Sequence, residues 1–228
     1  PGATNLVTGI ATAYMDSIPM VAITGNVPND LLGRDSFQEV NITGITMPIT
    51  KHNFIVQNVE DLAAVVRKAF VIANSGRKGP VLIDIPKDVT AAHSEYVKLP
   101  RYRIRKLPKV DDVVFEQALE VIRRAERPMI YAGGGIISSN ATRELMNFSR
   151  HMDIPICCSM MGLGSVPYDY DLYMGMLGMH GTPVSNYATL NTDLIIAIGS
   201  RFSDRVAGNR EEFGREAKII HFDIDASE

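Results

Sequence analysis

Cysteine is scarce in this chain: only Cys157 and Cys158 are present, and they are adjacent. Two neighbouring thiols cannot build a disulfide framework or a zinc knuckle, so the composition fits a reducing, cytosolic setting. A basic excess is also lacking, since 23 Lys and Arg against 26 Asp and Glu leave a net charge of −3. Without a positive field for a phosphate backbone, nucleic acid is not an expected partner. No apolar run approaches the ~18 residues of a membrane-spanning helix, and no signal-peptide pattern follows Pro1. Among His52, His93, His151, His180 and His221 there is no Ser-His-Asp order, no HExxH and no zinc spacing. Nothing in this stretch is assigned as a metal ligand or a nucleophile.

What is present is an ordinary globular mix, 46% hydrophobic and 21% charged, which excludes disorder as the main state. At 228 residues the chain suits one large or two modest domains. Both ends are abrupt: Pro1 to Asn5 reads as a loop entering a helix, and Ile219 to Asp225 as a strand with its exit. That is the pattern expected of a fragment of a longer protein.

Strand and helix signals alternate along the chain. Small and apolar residues from Asn5 to Asp16 fall at helical spacing, and Pro19 to Thr24 is a short buried-strand run. A polar, glycine-containing loop follows through Asn41, and His52 to Val56 reads as a second strand. Val59, Leu62, Val66, Ala69, Phe70 and Ala73 mark one face of an amphipathic helix ending at Ser75-Gly76. Pro80 to Pro86 reads as a third, fully buried strand. The pattern lapses from Lys87 to Lys109, where six basic residues lie between Lys98 and Lys109; such a run reads as a solvated linker. It resumes with a helix behind Asp111 or Asp112 as N-cap, then a strand from Pro128 to Ala132. A helix marked by Leu145, Phe148, Ser149 and Met152 follows, then strands at Ile154–Cys158, Asp193–Gly199 and Lys218–Asp223. Alternation of this kind implies parallel sheets in an α/β fold. Two α/β domains are expected, a partial one over 1–88 and a nearly whole one over 111–228, joined by a linker over 89–110.

Ligands of open α/β sheets sit beyond the carboxyl ends of the strands, and five candidate loops lie there in the second domain. Gly133-Gly134-Gly135 followed by Ser138 and Ser139 is a degenerate G-x-G-x-x-S. It serves either a phosphate or a tight strand–helix turn. The acidic residue that an NAD ribose needs about 20 residues later is missing. Ser159 to Ser165 and Leu177 to Thr182 carry methionines suited to a flat ring system. Gly199 to Arg205 offers two arginines able to grip phosphate or carboxylate, and Asp223 and Asp225 offer acceptors for a ribose or adenine group. Each admits a plainer role: His180 as a capped loop histidine, Met179 as core filler, Arg205 as a partner of Asp204. In the first domain Asp35-Ser36-Phe37-Gln38-Glu39 sets a Phe beside a Gln amide, a pair that could frame a small polar substrate or simply belong to a structured surface loop. Lys51-His52 could offer a cation and a titrating ring.

Taken in order, PGATNLVTGIATAYMDSIPMVAITG, VP, DSFQE, ITKHN, SGRKGPVLIDIPKDV, GGG, SMMGLGS, GMLGMHGT, RFSDRV and HFDIDASE cover essentially the whole chain. This set resembles the thiamine-diphosphate enzymes, and within them the catalytic large subunits of acetolactate (acetohydroxyacid) synthase. Pyruvate oxidase and glyoxylate carboligase share parts of it, and a non-catalytic nucleotide-binding module is the alternative of another class. The resemblance implies a partial pyrimidine-binding domain followed by a Rossmann-like, FAD-binding central domain. It implies thiamine diphosphate, Mg²⁺ and FAD as cofactors, with FAD held mainly for structure. It implies 2-keto acid substrates, a homodimer or larger homo-oligomer, and a regulatory small subunit. The implied reaction decarboxylates pyruvate and joins the remaining two-carbon unit to pyruvate or 2-ketobutyrate, toward valine, leucine and isoleucine.

Carried over by position, Phe37 and Gln38 border the substrate channel, Lys51 lies near it, and Lys87 stands at its mouth. Arg205 meets the second substrate's carboxylate. Arg77, Gly134, Ser159, Met160, Met161, Gly162, Leu177, Gly178, Met179, His180, Gly199, Ser200, Arg201, Phe202, Ser203, Asp204 and Asp223 contact FAD. The chain departs from the family at Asn26, where Gln is usual, and at Ser36, often Ala. The glutamate that activates the aminopyrimidine is expected before Pro1, and the GDG…N diphosphate–magnesium motif after Glu228. The stretch alone is therefore expected to be inactive.

Overall fold

The structure is a computed structural model that describes residues 1–98, 100, 109–208 and 213–228. Most of the basic part of the expected linker, at 99 and 101–108, lies outside the described residues. The chain divides into two compact units, Pro1–Leu107 and Pro108–Glu228.

The first unit opens with a 3₁₀ turn at Ala3–Leu6 and helix α1 (Val7–Met15). Strand β1 (Met20–Asn26), helix α2 (Ile42–Thr46), strand β2 (His52–Ile55), helix α3 (Val59–Asn74), strand β3 (Pro80–Pro86) and a single turn, α4 (Lys87–Ala91), follow. The sheet is parallel in the order β1–β3–β2. Its last strand in sequence is its centre, so all seven residues of β3 are buried, as a run apolar at every position but Asp84 requires. One face packs on α3 through Ala69, Ala73, Val81 and Ile83; the other buries Ile10, Ile42 and Leu82. Helix α3 carries Glu60 and Asp61 in its first turn, which suits the helix dipole. It stops where Ser75 turns extended and Gly76 takes φ +54. The chain stays helical for one turn beyond Pro86 because Val89 is buried and anchors it.

The second unit contains α5 (Asp112–Arg124), β4 (Pro128–Ala132), α6 (Gly134–Ser139), α7 (Thr142–Met152), β5 (Ile156–Cys158), β6 (Tyr173–Met176), α8 (Pro183–Asn191), β7 (Leu194–Ile198), α9 (Asp204–Ala207) and β8 (Lys218–Phe222). The N-cap of α5 is Asp111, whose side chain accepts the Val113 N–H at 2.8 Å. Five parallel strands run in the order β6–β5–β4–β7–β8. Period-two alternation sends Ile130, Ala132, Ile156, Leu194 and Ile196 to one core and Met129, Tyr131, Cys157, Ile195 and Ala197 to the other. The two free cysteines therefore face opposite sides of the sheet, and burial raises both thiol pKa values.

Strand β6 and helix α8 were not expected from the pattern. Strand β6 holds Gly175 in its interior and sits at the sheet edge. Helix α8 buries Ser185 and Thr189 and leaves Val184, Tyr187 and Leu190 exposed at 60%, 69% and 69%, so its hydrophobic residues point away from the core. Among the described residues, no helix is long and apolar enough to cross a membrane.

Candidate functional site

Chain order from β4 runs outward through β5 and β6 on one side, then through β7 and β8 on the other. The order reverses between β4 and β7, and the crevice outside such a reversal is where open α/β sheets take their ligands. The two strand exits meet there. The Gly133 N–H donates to the Ile198 carbonyl and the Gly135 N–H to the Gly199 carbonyl, both at 2.9 Å. A Cβ at Gly133 would lie 2.0 Å from the Gly199 oxygen, and one at Gly135 2.6 Å from the Gly199 Cα. The outer two glycines of the triplet are thus demanded by backbone-on-backbone contact. Gly134 sits differently, under the next loop, with the Met161 Cβ 3.1 Å from where its own would stand.

The remaining loops are tied to this junction one by one. The Ser159 N–H donates to the Ala132 carbonyl at 2.9 Å, and the Ser159 hydroxyl accepts the Gly162 N–H at 3.1 Å. A Cβ at Gly162 would meet the Ala132 oxygen at 2.3 Å. Leu177 is buried, and Gly178 takes φ +107 with the Arg205 carbonyl 2.6 Å from a Cβ site. The Met179 N–H closes on that same carbonyl at 2.9 Å. The last loop joins through His221, whose Nε2 lies 2.8 Å from the Ser200 carbonyl and 3.7 Å from an Asp223 carboxylate oxygen. The other Asp223 oxygen accepts the Asp225 N–H at 2.9 Å.

The expected residues divide by what they present. Ser200 is buried and its hydroxyl donates to the Tyr131 carbonyl at 3.3 Å. Phe202 faces inward, its ring 5.7–5.9 Å from those of Tyr131, Phe213 and His221. These two, with Gly162, Leu177, Gly178 and Gly199, shape the edge. Met160, Met161, Met179, His180, Ser203, Asp204 and Arg205 are exposed on it. Arg201 is half-buried, with Nε 3.9 Å from Glu228. Arg205 lies 3.7 Å from Asp204 with both side chains largely in solvent, a pairing worth little, and its Nη1 is 3.9 Å from the Met179 sulfur.

In the first unit, Phe37 and Gln38 follow the exit of β1; Phe37 is 88% exposed and Gln38 takes φ +63. Lys87 follows the exit of β3 and is exposed. Lys51 and Arg77 instead precede strands, at the amino edge of that sheet. The Lys51 ammonium donates to the carbonyls of Ile72, at 2.5 Å, and Ser75, at the end of α3; burial lowers its pKa. The geometry gives Lys51 the work of a helix cap. Arg77 donates from Nε to the Ser17 hydroxyl at 3.0 Å. Asn26 donates to Asp84 at 2.6 Å and accepts its neighbour's Val27 N–H at 2.9 Å. Thr24 donates to the other oxygen of the same buried carboxylate at 2.7 Å, so the shorter amide is held inside the sheet.

Three positioning groups escaped the sequence. Asn186 pairs with the Gly178 peptide in both directions, at 3.0 and 3.1 Å. Thr182 caps α8 and donates to the Met174 carbonyl at 2.6 Å. Glu39 accepts the N–H groups of Gly33 and Ser36. Only the fold shows what each of them faces.

Sheet order, glycine-tight strand exits and five loops gathered at one edge define an open parallel α/β unit. The chain belongs to the thiamine pyrophosphate enzymes: residues 115–228 match the family described as "Thiamine pyrophosphate enzyme, central domain". Residues 1–45 match "Thiamine pyrophosphate enzyme, N-terminal TPP binding domain". Along its whole length the chain is homologous to acetolactate synthase large subunits. It is 51% identical over 233 residues to the acetolactate synthase large subunit of Corynebacterium glutamicum, covering 37% of that protein. It is 49% identical to the probable acetolactate synthase large subunit of Methanocaldococcus jannaschii, covering 40%, and 46% identical to the chloroplastic acetolactate synthase of Arabidopsis thaliana, covering 34%. The chain thus spans 34–40% of the length of these three relatives.

Proposed function

We propose that the chain is part of an acetolactate synthase large subunit, which decarboxylates pyruvate and joins the remaining two-carbon unit to pyruvate or 2-ketobutyrate. The products, 2-acetolactate and 2-aceto-2-hydroxybutyrate, lead to the branched-chain amino acids. One observation carries the reading: similarity to acetolactate synthases runs unbroken through both units. Residues 1–88 form the later part of the pyrimidine-binding domain and 111–228 the central FAD domain. Bound thiamine diphosphate supplies the electron sink that lets the carboxyl group leave.

The donor set at the second unit's edge fits a flavin: the exposed side chains of Met160, Met161 and Met179 for a flat ring, and an Asp223 carboxylate held by the Asp225 N–H, with His221 3.7 Å away. Met160, Met161 and Met179 would lie against the ring system, with Ser203 and His180 at the rim. Arg205 would hold the second keto acid's carboxylate, which its planar fork suits. Phe37 and Gln38 would border the passage. Among the described residues no three His, Cys, Asp or Glu side chains gather as a metal site. A homo-oligomer and a regulatory small subunit complete the proposal, the latter supported by the relatives' designation as large subunits. The cytoplasm is the proposed compartment, in keeping with two free cysteines.

The intact protein, supplied with thiamine diphosphate, Mg²⁺ and FAD, is expected to form acetolactate from pyruvate. Arg205→Ala should raise the KM for the second keto acid about 10- to 100-fold, the loss of a charge-assisted pair. Absence of any condensation product would overturn the reading. Stoichiometric acetate formation with flavin reduction would assign an oxidase instead.

A further inference from the structure

The loop between β1 and α2 holds a carboxylate that the proposed reaction does not use. One oxygen of Glu39 accepts the Gly33 N–H, and the other accepts the Ser36 N–H at 2.9 Å. The Ser36 hydroxyl donates to the Leu31 carbonyl at 2.9 Å, and the Glu39 N–H returns to the Ser36 carbonyl at 3.0 Å. Within this span Gly33, Asp35 and Gln38 take φ of +74, +53 and +63. Gln38 carries a side chain that disfavours this region, whereas Asp35 is of a type that tolerates it better, and a backbone so bent at Gln38 persists only where its surroundings hold it. The Glu39 carboxylate ties two of the loop's N–H groups, those of Gly33 and Ser36, to one side chain. Phe37 stands almost wholly in solvent, so no core packing sets its direction and the backbone must.

We propose that Glu39 is the positioning residue of this loop: by gathering the Gly33 and Ser36 N–H groups, its carboxylate fixes the turn that presents Phe37 and Gln38 to a 2-keto acid. The proposal rests on the reading of Phe37 and Gln38 as the border of the substrate passage. Backbone N–H bonds from Ser36 and then Gly33 hold the Glu39 pKa below the usual carboxylate range, so the anion that accepts both is the form present near neutrality. An amide at this position offers one acceptor oxygen and turns its NH₂ toward the second N–H.

The test uses the intact protein and two variants that damage the same turn from different sides, Glu39→Gln and Gly33→Ala. Arg34 is exposed within the turn, which gives a local readout. Trypsin cleavage after Arg34 should speed up about fivefold or more in both variants, while cleavage elsewhere stays unchanged. The KM for pyruvate should rise about five- to tenfold, as for one lost bond to a charged acceptor, with kcat within about twofold. Unchanged cleavage at Arg34 would overturn the clamp. Faster cleavage with an unaltered KM would overturn its role in presenting Phe37 and Gln38. If Glu39→Gln fails to fold, amide exchange of the wild-type protein decides: the Gly33 and Ser36 amides should be protected, and free exchange at both sinks the proposal. A wild-type protein that forms no acetolactate would instead sink the proposed function, leaving cleavage and exchange to decide the clamp.

Discussion

A methyl group added at Gly133 meets the Gly199 carbonyl oxygen at 2.0 Å, and no flexible side chain is there to give way. Gly133→Ala should therefore cost about 2–3 kcal/mol, at the upper end for overpacking, and weaken flavin binding, read by denaturant melting and flavin fluorescence. Gly9, inside α1, has nothing within 4 Å of its Cβ site. Gly9→Ala should stabilise by about 0.5–1 kcal/mol through helix propensity. Asp193 gives a pH signature. Partial burial acts to raise its pKa, but the N–H groups of Glu126 and Arg127, at 2.7 and 2.9 Å, outweigh it and the net shift is downward. With the folded pKa below the unfolded one, the bond's stabilisation is full above the unfolded value near ~4 and fades as pH falls toward the folded value. Asp193→Asn should cost about 1 kcal/mol at pH 7, a modest figure because the site is near solvent. The deficit relative to wild type should shrink below about pH 4; a deficit constant with pH would refute the assignment.

At the scale of elements, Lys51 and α3 make the most direct test of a role carried over from resemblance. Its ammonium sits on the last carbonyls of the helix, where a cation also favours the dipole. Lys51→Met keeps the stem and removes the donors, so it should cost about 1–2 kcal/mol and leave kcat and KM within about twofold in the intact enzyme. A large KM change at unaltered stability would return Lys51 to the substrate. What could be read from sequence follows the same physics. Helix α3 was legible because most of its apolar face packs on the sheet, the 56% exposed Phe70 excepted, and β3 because a central parallel strand is apolar at all its positions but Asp84. Helix α8 was not, because it packs through Ser185 and Thr189 and carries its apolar residues outward. The glycine triplet was legible as a turn, but its reason was not: the contact that demands Gly133 and Gly135 comes from β7, far along the chain. Asn186 and Glu39 act on backbone groups, which leave no pattern in a sequence.

On the scale of the whole molecule, each unit closes its own sheet and its own cores, with β3 at the centre of one and β4 of the other. All the flavin candidates except Arg77 belong to the second unit. Heat-induced unfolding should accordingly resolve two transitions, only one of them responsive to flavin. FAD at about a hundred times its Kd should stabilise the second unit by about 2.7 kcal/mol and raise that transition by about 10 °C. The residue-scale variants assign the transitions independently: Gly9→Ala should move only the flavin-blind one upward, and Gly133→Ala only the flavin-sensitive one downward. A single transition shifted by FAD and by both variants alike would show that the units melt as one body. A flavin response confined to the transition that Gly9→Ala moves would place the binding edge in the wrong sheet.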